Sequence, residues 1–497
     1  MKPHIKTKYK DLKGYDLLHA GTLALATVSG NGIRIDKQAA KREKQSIEDE
    51  IETLTKKISK SPEVELWKEN YGENFNINSN EQIGTLLFET LKEKPLEVTN
   101  SGKNKVDENT LKEFADKYPF INDFIKIKKL KKAKSTYIEN FISEVSDDGF
   151  MHPDFDVNST LTYRSSSYNP NFQNIPIRNK ILGPKIRQMI IPRKDHLLIE
   201  ADYSGIEVCG SACYHKDPQM IKYIIDPTTD MHSDCAKDLF ILGPHDWNKA
   251  IRQVAKNKFV FAQFYGSHFV ECAKGLWKDI DKEQLKTNAG VPLYKHLITQ
   301  GIRNYKEYEK HVERVCTDFW ENRFAVYNQW KKDWYQSYLE RGYFNTLTGF
   351  TCRGFMRRNA VLNYPIQGSS FHCLLWDVIH INEELALNGM DTRVVGQIHD
   401  SIILDTHPDE YNRAIWMLQR IATEEIRKVW DWIIVPLKME IEVSPINESW
   451  NKKKEVVPHK CHTCGARHMY ANRRQGEDFI DYVCPICEDT EEVYAER

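Results

Sequence analysis

Two stretches of the chain pair apolar runs with a single carboxylate. Leu197-Leu198-Ile199, within LLIEADYSGIEV, reads as a buried strand that ends at Asp202. Val394 to Leu404, VVGQIHDSIIL, places two β-branched runs around a polar turn, and the turn carries Asp400. Before them, LLHAGTLALATVSG followed by NGIRID predicts a helix ended by Gly30-Asn31-Gly32 and then a short strand. Lys37 to Lys60 is charged with helical period, and its acidic cluster suits a solvated helix face. Thr99 to Glu108 reads as a polar loop. Leu111 to Val145 reads as one long helix with Lys126, Lys128, Lys129, Lys131, Lys132 and Lys134 at its middle. Those lysines suit a solvated face and equally a phosphate backbone. Asp246 is placed to cap a helix from Trp247 onward, on which Arg252 and Lys256 share a face.

A chain of 497 residues is expected to hold two to four domains. The formal net charge of −1 means that nucleic-acid binding would rest on local basic patches rather than a global field. There is no apolar run of membrane-spanning length, so no membrane partner is expected, and MKPHIKTKYKDLKGYDLL lacks the apolar region of a secretory signal. Seven of the eleven cysteines are scattered singly between Cys209 and Cys373. The other four form two pairs, Cys461-x-x-Cys464 and Cys484-x-x-Cys487, with nineteen residues between. Two such knuckles predict a closed tetrahedral site for one structural Zn2+, with His462 and His468 as nearby substitutes. The cysteine pattern suits a reducing cytoplasm rather than a disulfide framework.

Strand ends that present single carboxylates suit hard divalent cations, and two carboxylates from distant segments can hold two such ions for in-line phosphoryl displacement. Either Asp202 or Asp400 alone would pass for a cap or a turn residue. Two cations on one helix face, Arg252 and Lys256, can clamp a triphosphate. The run RSSSYNPNFQNIPIR, opened by Arg164, is rich in side chains that donate to sugar, phosphate or minor-groove acceptors.

This run, followed by DYSGIEV, resembles the A-family DNA polymerases. FNINSNEQIGTLLFE and KKAKSTY resemble the family's thumb, and GNGIRID the start of its palm. YFNTLTGF and NYPIQGSS resemble two further family runs, so the likeness covers about residues 15 to 450. It implies an α+β protein with the right-hand polymerase fold: palm in 1–36, 151–215 and 346–455, thumb in 37–150 and fingers in 216–345, followed by a zinc ribbon in 456–497. It implies that Asp202, the backbone carbonyl of Tyr203 and Asp400 hold two Mg2+ (or Mn2+). Glu207, His232, Arg252, Lys256, Phe261 and Tyr265 would bind the dNTP. Arg164, Gln173, Asn174, Asn363, Gln367 and His399 would contact primer-template DNA. Bacterial members of the family lack the cysteine-rich tail, which could bind DNA or a replication protein.

The sequence departs from the family in three places. Family members space the lysine and the aromatic-Gly pair by eight residues; here Lys256 to Tyr265 is nine. On a regular helix Val260 and Phe264 would follow Lys256 on its face. One extra residue taken up as a π-bulge returns Phe261 and Tyr265 to it. Most members have Glu after the second Asp, where this chain has Ser401. Residues 270–340 are longer than in bacterial members and are expected to enlarge the fingers. The palm-like sequence begins by about Tyr15, so no 3′–5′ exonuclease is expected, and the tail suits a phage-type replicative system. The competing readings are a single-subunit RNA polymerase and a non-catalytic zinc-ribbon DNA-binding protein. Glu207 argues against the first, because a bulky acid crowds a ribose 2′ position. The joint presence of Asp202, Asp400, Arg252 and Lys256 argues against the second.

Overall fold

The computed structural model describes residues 9–96, 98, 102–175, 182–282 and 285–456, together with 463, 470–472, 479–483 and 490–494. The apolar run around Leu198 forms the strand Leu197–Tyr203, the middle member of a five-stranded sheet. Ser401–Thr406 flanks it on one side and Met439–Val443 on the other, both antiparallel. Arg393–Ile398 and Lys454–Glu455 form the edges. Side chains alternate between two cores, as the two-residue period of a strand requires. Ile199, Ala201, Ile402 and Leu404 join one core with Leu17, Val28, Trp376 and Trp430. Leu198, Val395 and Ile403 join the other with Ile33, Phe141 and Phe172. A sheet covered on both faces explains why its strands read as continuous apolar runs.

The N-terminal pattern folds as its residues predict. The helix Gly14–Asn31 ends at Gly32, whose positive φ of 65° suits a residue without a Cβ, and the strand Ile33–Ile35 follows. Asp36 then caps the helix Lys37–Ile58, accepting from the backbone N–H groups of Gln38 and Ala39 at 2.9 Å each.

Two local expectations are corrected. The single helix over 111–145 is a series: Glu108–Phe114, Phe120–Ala133, a π turn Lys134–Ile138, and Glu139–Glu144. Pro119 separates the first two, because it disfavours helix at the residue before it and has no N–H to give. Three lysines of the run meet carboxylates: Lys126 with Glu50 and Lys134 with Glu48, both at 2.7 Å, and Lys129 with Glu108 at 2.6 Å. The acidic cluster of one helix is thus partner to the basic run of the other. Exposed pairs of this kind contribute at most about 1 kcal/mol each, so the apolar contacts of Ile47, Leu130 and Tyr137 hold the helices together.

The second correction is the helix start near Trp247. Asn248 is the cap, accepting from Ala250 and Ile251 N–H at 3.1 Å, and the helix is Lys249–Ala255. An asparagine one position before the first helical residue satisfies two orphan donors that Asp246, three positions back, cannot reach.

Pro365, in the run NYPIQGSS, is a residue that ordinarily breaks a helix. It lies inside the helix Arg358–Leu387. Proline cannot donate to the carbonyl four residues back, Val361. The indole Nε1 of Trp334 donates to that carbonyl instead, at 3.1 Å. Trp334→Phe is therefore expected to destabilise the protein by about 1–3 kcal/mol by orphaning a buried acceptor. In a Pro365→Ala background the loss should shrink, since an alanine N–H can serve Val361. Urea unfolding of the four members of this cycle measures the coupling; no difference between backgrounds would remove Trp334 from this role.

Candidate active site

The two carboxylates meet because their strands pair. Asp202 lies opposite Ser401, and the Tyr203 N–H donates to the Asp400 carbonyl at 3.1 Å. His399, with φ of 53°, makes the tight turn that presents Asp400. On its other side Asp202 faces Glu440 across the Met439–Val443 strand. The strand end is pinned from beneath. Tyr203 Oη donates to Asp377 Oδ2 at 2.6 Å and approaches the Ala422 carbonyl at 2.9 Å, and both side chains are fully buried.

Burial, then the charges of Asp400, Glu200 and Glu440, raise the Asp202 carboxyl to about 7, with Lys453 opposing. Burial also raises Asp400, against a backbone hydrogen bond and His399. Glu200 has its own partners, Trp450 Nε1 at 2.6 Å and Lys453. The acidic side chains gathered at the strand end, Asp202 and Asp400 with Glu440 on the neighbouring strand, offer oxygen donors. Such a set fits a hard divalent cation, whose charge would relieve the repulsion. Among the described residues no three His, Cys, Asp or Glu side chains form a cage.

A cavity of about 340 Å³ opens in front of this strand end, lined by Arg164, Glu207, Phe261, Tyr265, Asn363, Gln367, His399 and Asp400 among others. Glu207 is held from two directions, by Arg164 and by Tyr265 Oη at 3.2 Å. Arg164 and Gln367 are brought close because Gly368 lets the helix touch the turn before Arg164. A Cβ at Gly368 would lie 2.6 Å from the Thr162 carbonyl oxygen.

The cationic wall lies beside Phe261. Arg252 donates to Asp230 through Nε at 2.5 Å and Nη2 at 3.1 Å. Burial opposes ionisation of Asp230, but hydrogen bonds from Arg252 and Ser233 outweigh it and hold the carboxyl at about 2. Burial, with Arg252 and Lys256 nearby, lowers His232 to about 4, so its ring is neutral at neutral pH. Lys256 Nζ lies 5.2 Å from the Phe261 ring centre, and His232 meets that ring edge-on at 5.9 Å.

The nine-residue spacing is absorbed as the sequence requires. Lys256–Val260 is a π turn, closed by the Phe261 N–H on the Lys256 carbonyl. Val260 is buried, while Phe261 and Tyr265 face the cavity. Regular helix resumes at Phe261–Phe264.

Other expected residues are placed differently. Gln173 is buried, with its amide on Ser165 Oγ at 2.7 Å and on Gln397. Gln397 in turn donates to the His399 carbonyl at 2.7 Å. Gln173 therefore braces the turn of Asp400 rather than lying open to a ligand. Asn174 is exposed on the loop, outside the cavity lining. Cys461, Cys464, Cys484 and Cys487 lie outside the described residues; around them Tyr470–Asn472, Phe479–Val483 and Thr490–Tyr494 form an antiparallel sheet. Sequence reasoning missed Asp230, Gln397 and Glu440. Asp230 had a signal, an acidic residue before the apolar start of Met231–Phe240. Glu440 had none, since the sequence does not say which strands are neighbours.

The family model for DNA polymerase family A matches residues 37–452. The chain belongs to DNA polymerase family A. This family A chain is 28% identical over 437 residues to the DNA polymerase I of Bacillus subtilis, covering 87% of the chain and 45% of that protein. It is 29% identical over 378 residues to the DNA polymerase I of Lactococcus lactis, covering 74% of the chain and 39% of that protein. It thus spans less than half the length of these curated relatives. A solved structure described as the POL domain of Pol1 from M. smegmatis, in complex with DNA primer-template and dNTP, superposes with a TM-score of 0.69. That match covers 88% of this chain and 70% of the other at 22% identity. The fold is the right-hand polymerase fold, an α+β architecture.

Divalent cation binding at the paired carboxylates should depend on pH in a stated sense. Asp202 must lose its proton to coordinate, so each unit of pH below about 7 should weaken Mn2+ binding by up to about tenfold. Titration of the full chain with Mn2+ at several pH values measures this. An affinity that is flat from about pH 5.5 to 7.5 would contradict the raised Asp202.

Proposed function

We propose that this chain is a template-dependent DNA polymerase that extends a primer 3′ end with dNTPs. The observation that carries the reading is the strand pairing that brings Asp202 to the hairpin of Asp400, beside a cavity that Asp400 and Phe261 both line, with Lys256 next to the Phe261 ring. Family membership supports it. Two Mg2+ (or Mn2+) bound by Asp202, Asp400 and the Tyr203 carbonyl would activate the primer hydroxyl and stabilise the departing pyrophosphate. The chain's own residues do the rest. Arg252 and Lys256 bind the triphosphate, and the neutral ring of His232 can donate to it. Phe261 abuts the sugar, and Tyr265 bounds the template side. Glu207, braced by Arg164 and Tyr265, occupies the space that a ribose 2′ hydroxyl would need. Arg164, Asn363 and Gln367 meet the minor groove, where every base pair offers acceptors.

On this reading 1–36, 151–215 and 346–455 are the palm, 37–150 the thumb and 216–345 the fingers. The four C-terminal cysteines hold one structural Zn2+ in residues 456–497, a module suited to DNA or a replication partner. Replication in a cytoplasm, the bacterial host's if the source is a phage, is the setting this reading implies. Among the described residues no helix is long and apolar enough to cross a membrane.

Asp202→Asn or Asp400→Asn should abolish primer extension while leaving primer-template binding near the wild-type level. Retention of more than about a tenth of the rate, a barrier change under about 1.4 kcal/mol, would mean that these are not the catalytic carboxylates. Glu207→Ala should raise rNTP use relative to dNTP, read as a ratio of specificity constants. An unchanged ratio would assign the sugar gate elsewhere, and a wild-type preference for rNTPs would favour the RNA polymerase reading.

A further inference from the structure

Gln263 is a buried amide two residues before Tyr265, and all four of its hydrogen-bonding positions are filled. Its oxygen accepts from Trp320 Nε1 at 2.8 Å and from Cys316 Sγ at 3.1 Å. Its nitrogen donates to the Ser267 carbonyl at 3.1 Å and to Cys272 Sγ at 3.3 Å. An indole N–H can only donate, so Trp320 fixes which way the amide faces and aims the NH2 group at Ser267. Trp320 is itself held, because Lys331 Nζ lies over its face, 2.9 Å from the ring centre. It stands in a π turn, Phe319–Arg323, between the helices Tyr305–Asp318 and Ala325–Arg341. Phe264, the residue after Gln263, packs among Phe319, Trp320, Phe324 and Tyr327, whose ring centres lie 5.7, 6.2, 6.1 and 6.0 Å from its own.

These contacts bear on the site through the turn that follows. The Tyr265, Gly266 and Ser267 N–H groups donate to the carbonyls of Phe261, Gln263 and Ala262 at 3.0, 3.1 and 2.8 Å. That turn presents Tyr265 to the cavity. Tyr265 is half exposed, so burial alone does not fix its ring. Its Oη meets Glu207 at 3.2 Å. Gly266 has φ of 85°, and the Asn359 amide lies so close that a Cβ there would be 2.9 Å from it. The turn is therefore gripped by Asn359 and by Gln263.

We infer that Gln263 is a positioning residue for the nucleotide site. Anchored on Trp320, it ties the long stretch 270–340 to the turn at 265–267, and so sets where Tyr265 meets Glu207. Removing its amide takes a donor from the Ser267 carbonyl and lets the turn shift. Glu207 then loses one of its two braces, and the space it denies to a ribose 2′ hydroxyl is less sharply defined. The inference rests on the polymerase reading for what Tyr265 and Glu207 meet, and not for the contacts themselves.

The test uses the full chain, with Gln263→Leu, which keeps the bulk and removes the amide, and Trp320→Phe, which keeps a ring and removes the N–H. Hydrogen exchange reports the turn directly. In Gln263→Leu the Tyr265, Gly266 and Ser267 N–H groups should exchange about tenfold faster. In primer extension, Gln263→Leu should raise the dNTP KM by about fivefold or more, with kcat changed by less than about threefold. Its preference for dNTP over rNTP, as a ratio of specificity constants, should fall by about fivefold or more. Trp320→Phe should move each readout the same way by less. In urea, Trp320→Phe should cost less stability in the Gln263→Leu background than in the wild type, because the indole N–H has already lost its partner there. Sugar selection should stay impaired in that double variant, which loss of stability alone would not produce. A wild-type KM and sugar ratio in Gln263→Leu would overturn the proposal. Faster exchange with an unchanged ratio would also overturn it, leaving Gln263 a packing residue. Absence of extension by the wild type, with exchange that still depends on Gln263, defeats the polymerase reading and supports the brace.

Discussion

Two half-buried carboxylates at one strand end repel each other, and much of the surrounding structure serves to keep them there. Asp202 and Asp400 come together because the Leu197–Tyr203 and Ser401–Thr406 strands pair in a fixed register. Slipping that register by one residue would turn the whole apolar set to the wrong face. The two cores on either side of the sheet make such a slip costly, and Tyr203 anchored on Asp377 fixes the strand along its length. Packing thus holds them, and burial first, then the repulsion, raises the Asp202 carboxyl to about 7. A site poised in this way would bind a cation in exchange for a proton.

The cationic cluster beside Phe261 follows a different rule. Arg252 is oriented by two hydrogen bonds to Asp230, which also caps the helix bearing His232. One carboxylate therefore sets both a guanidinium and an imidazole. The π turn at Lys256–Val260 rotates the following residues just enough to bring Phe261 beside Lys256. The same economy appears at Pro365, where a single tryptophan N–H lets a long helix continue past a missing donor.

Much of this was legible from residue order. The strand run ending at Asp202, the hairpin around Asp400, the glycine-ended helix before Ile33–Ile35 and the nine-residue spacing after Lys256 all depend on neighbours in sequence. Local sterics and hydrogen bonding decide such features, so periodicity and spacing reveal them. The basic run at Lys126–Lys134 was legible as a run but not in its use. Its partners Glu48 and Glu50 lie some eighty residues away, on a helix whose placement no local rule gives.

What the sequence by itself determined is the identity of the chemistry: oxygen donors at two strand ends, two cations on one helix face, amide-rich runs and two cysteine pairs. What only the tertiary structure decided is which of these groups share a space. Gln173 turned inward to brace Gln397 rather than outward, and Glu440 arrived beside Asp202 on a neighbouring strand. Strand order and helix packing are set by burying apolar surface over the whole chain, and that term has no address in any short stretch of residues.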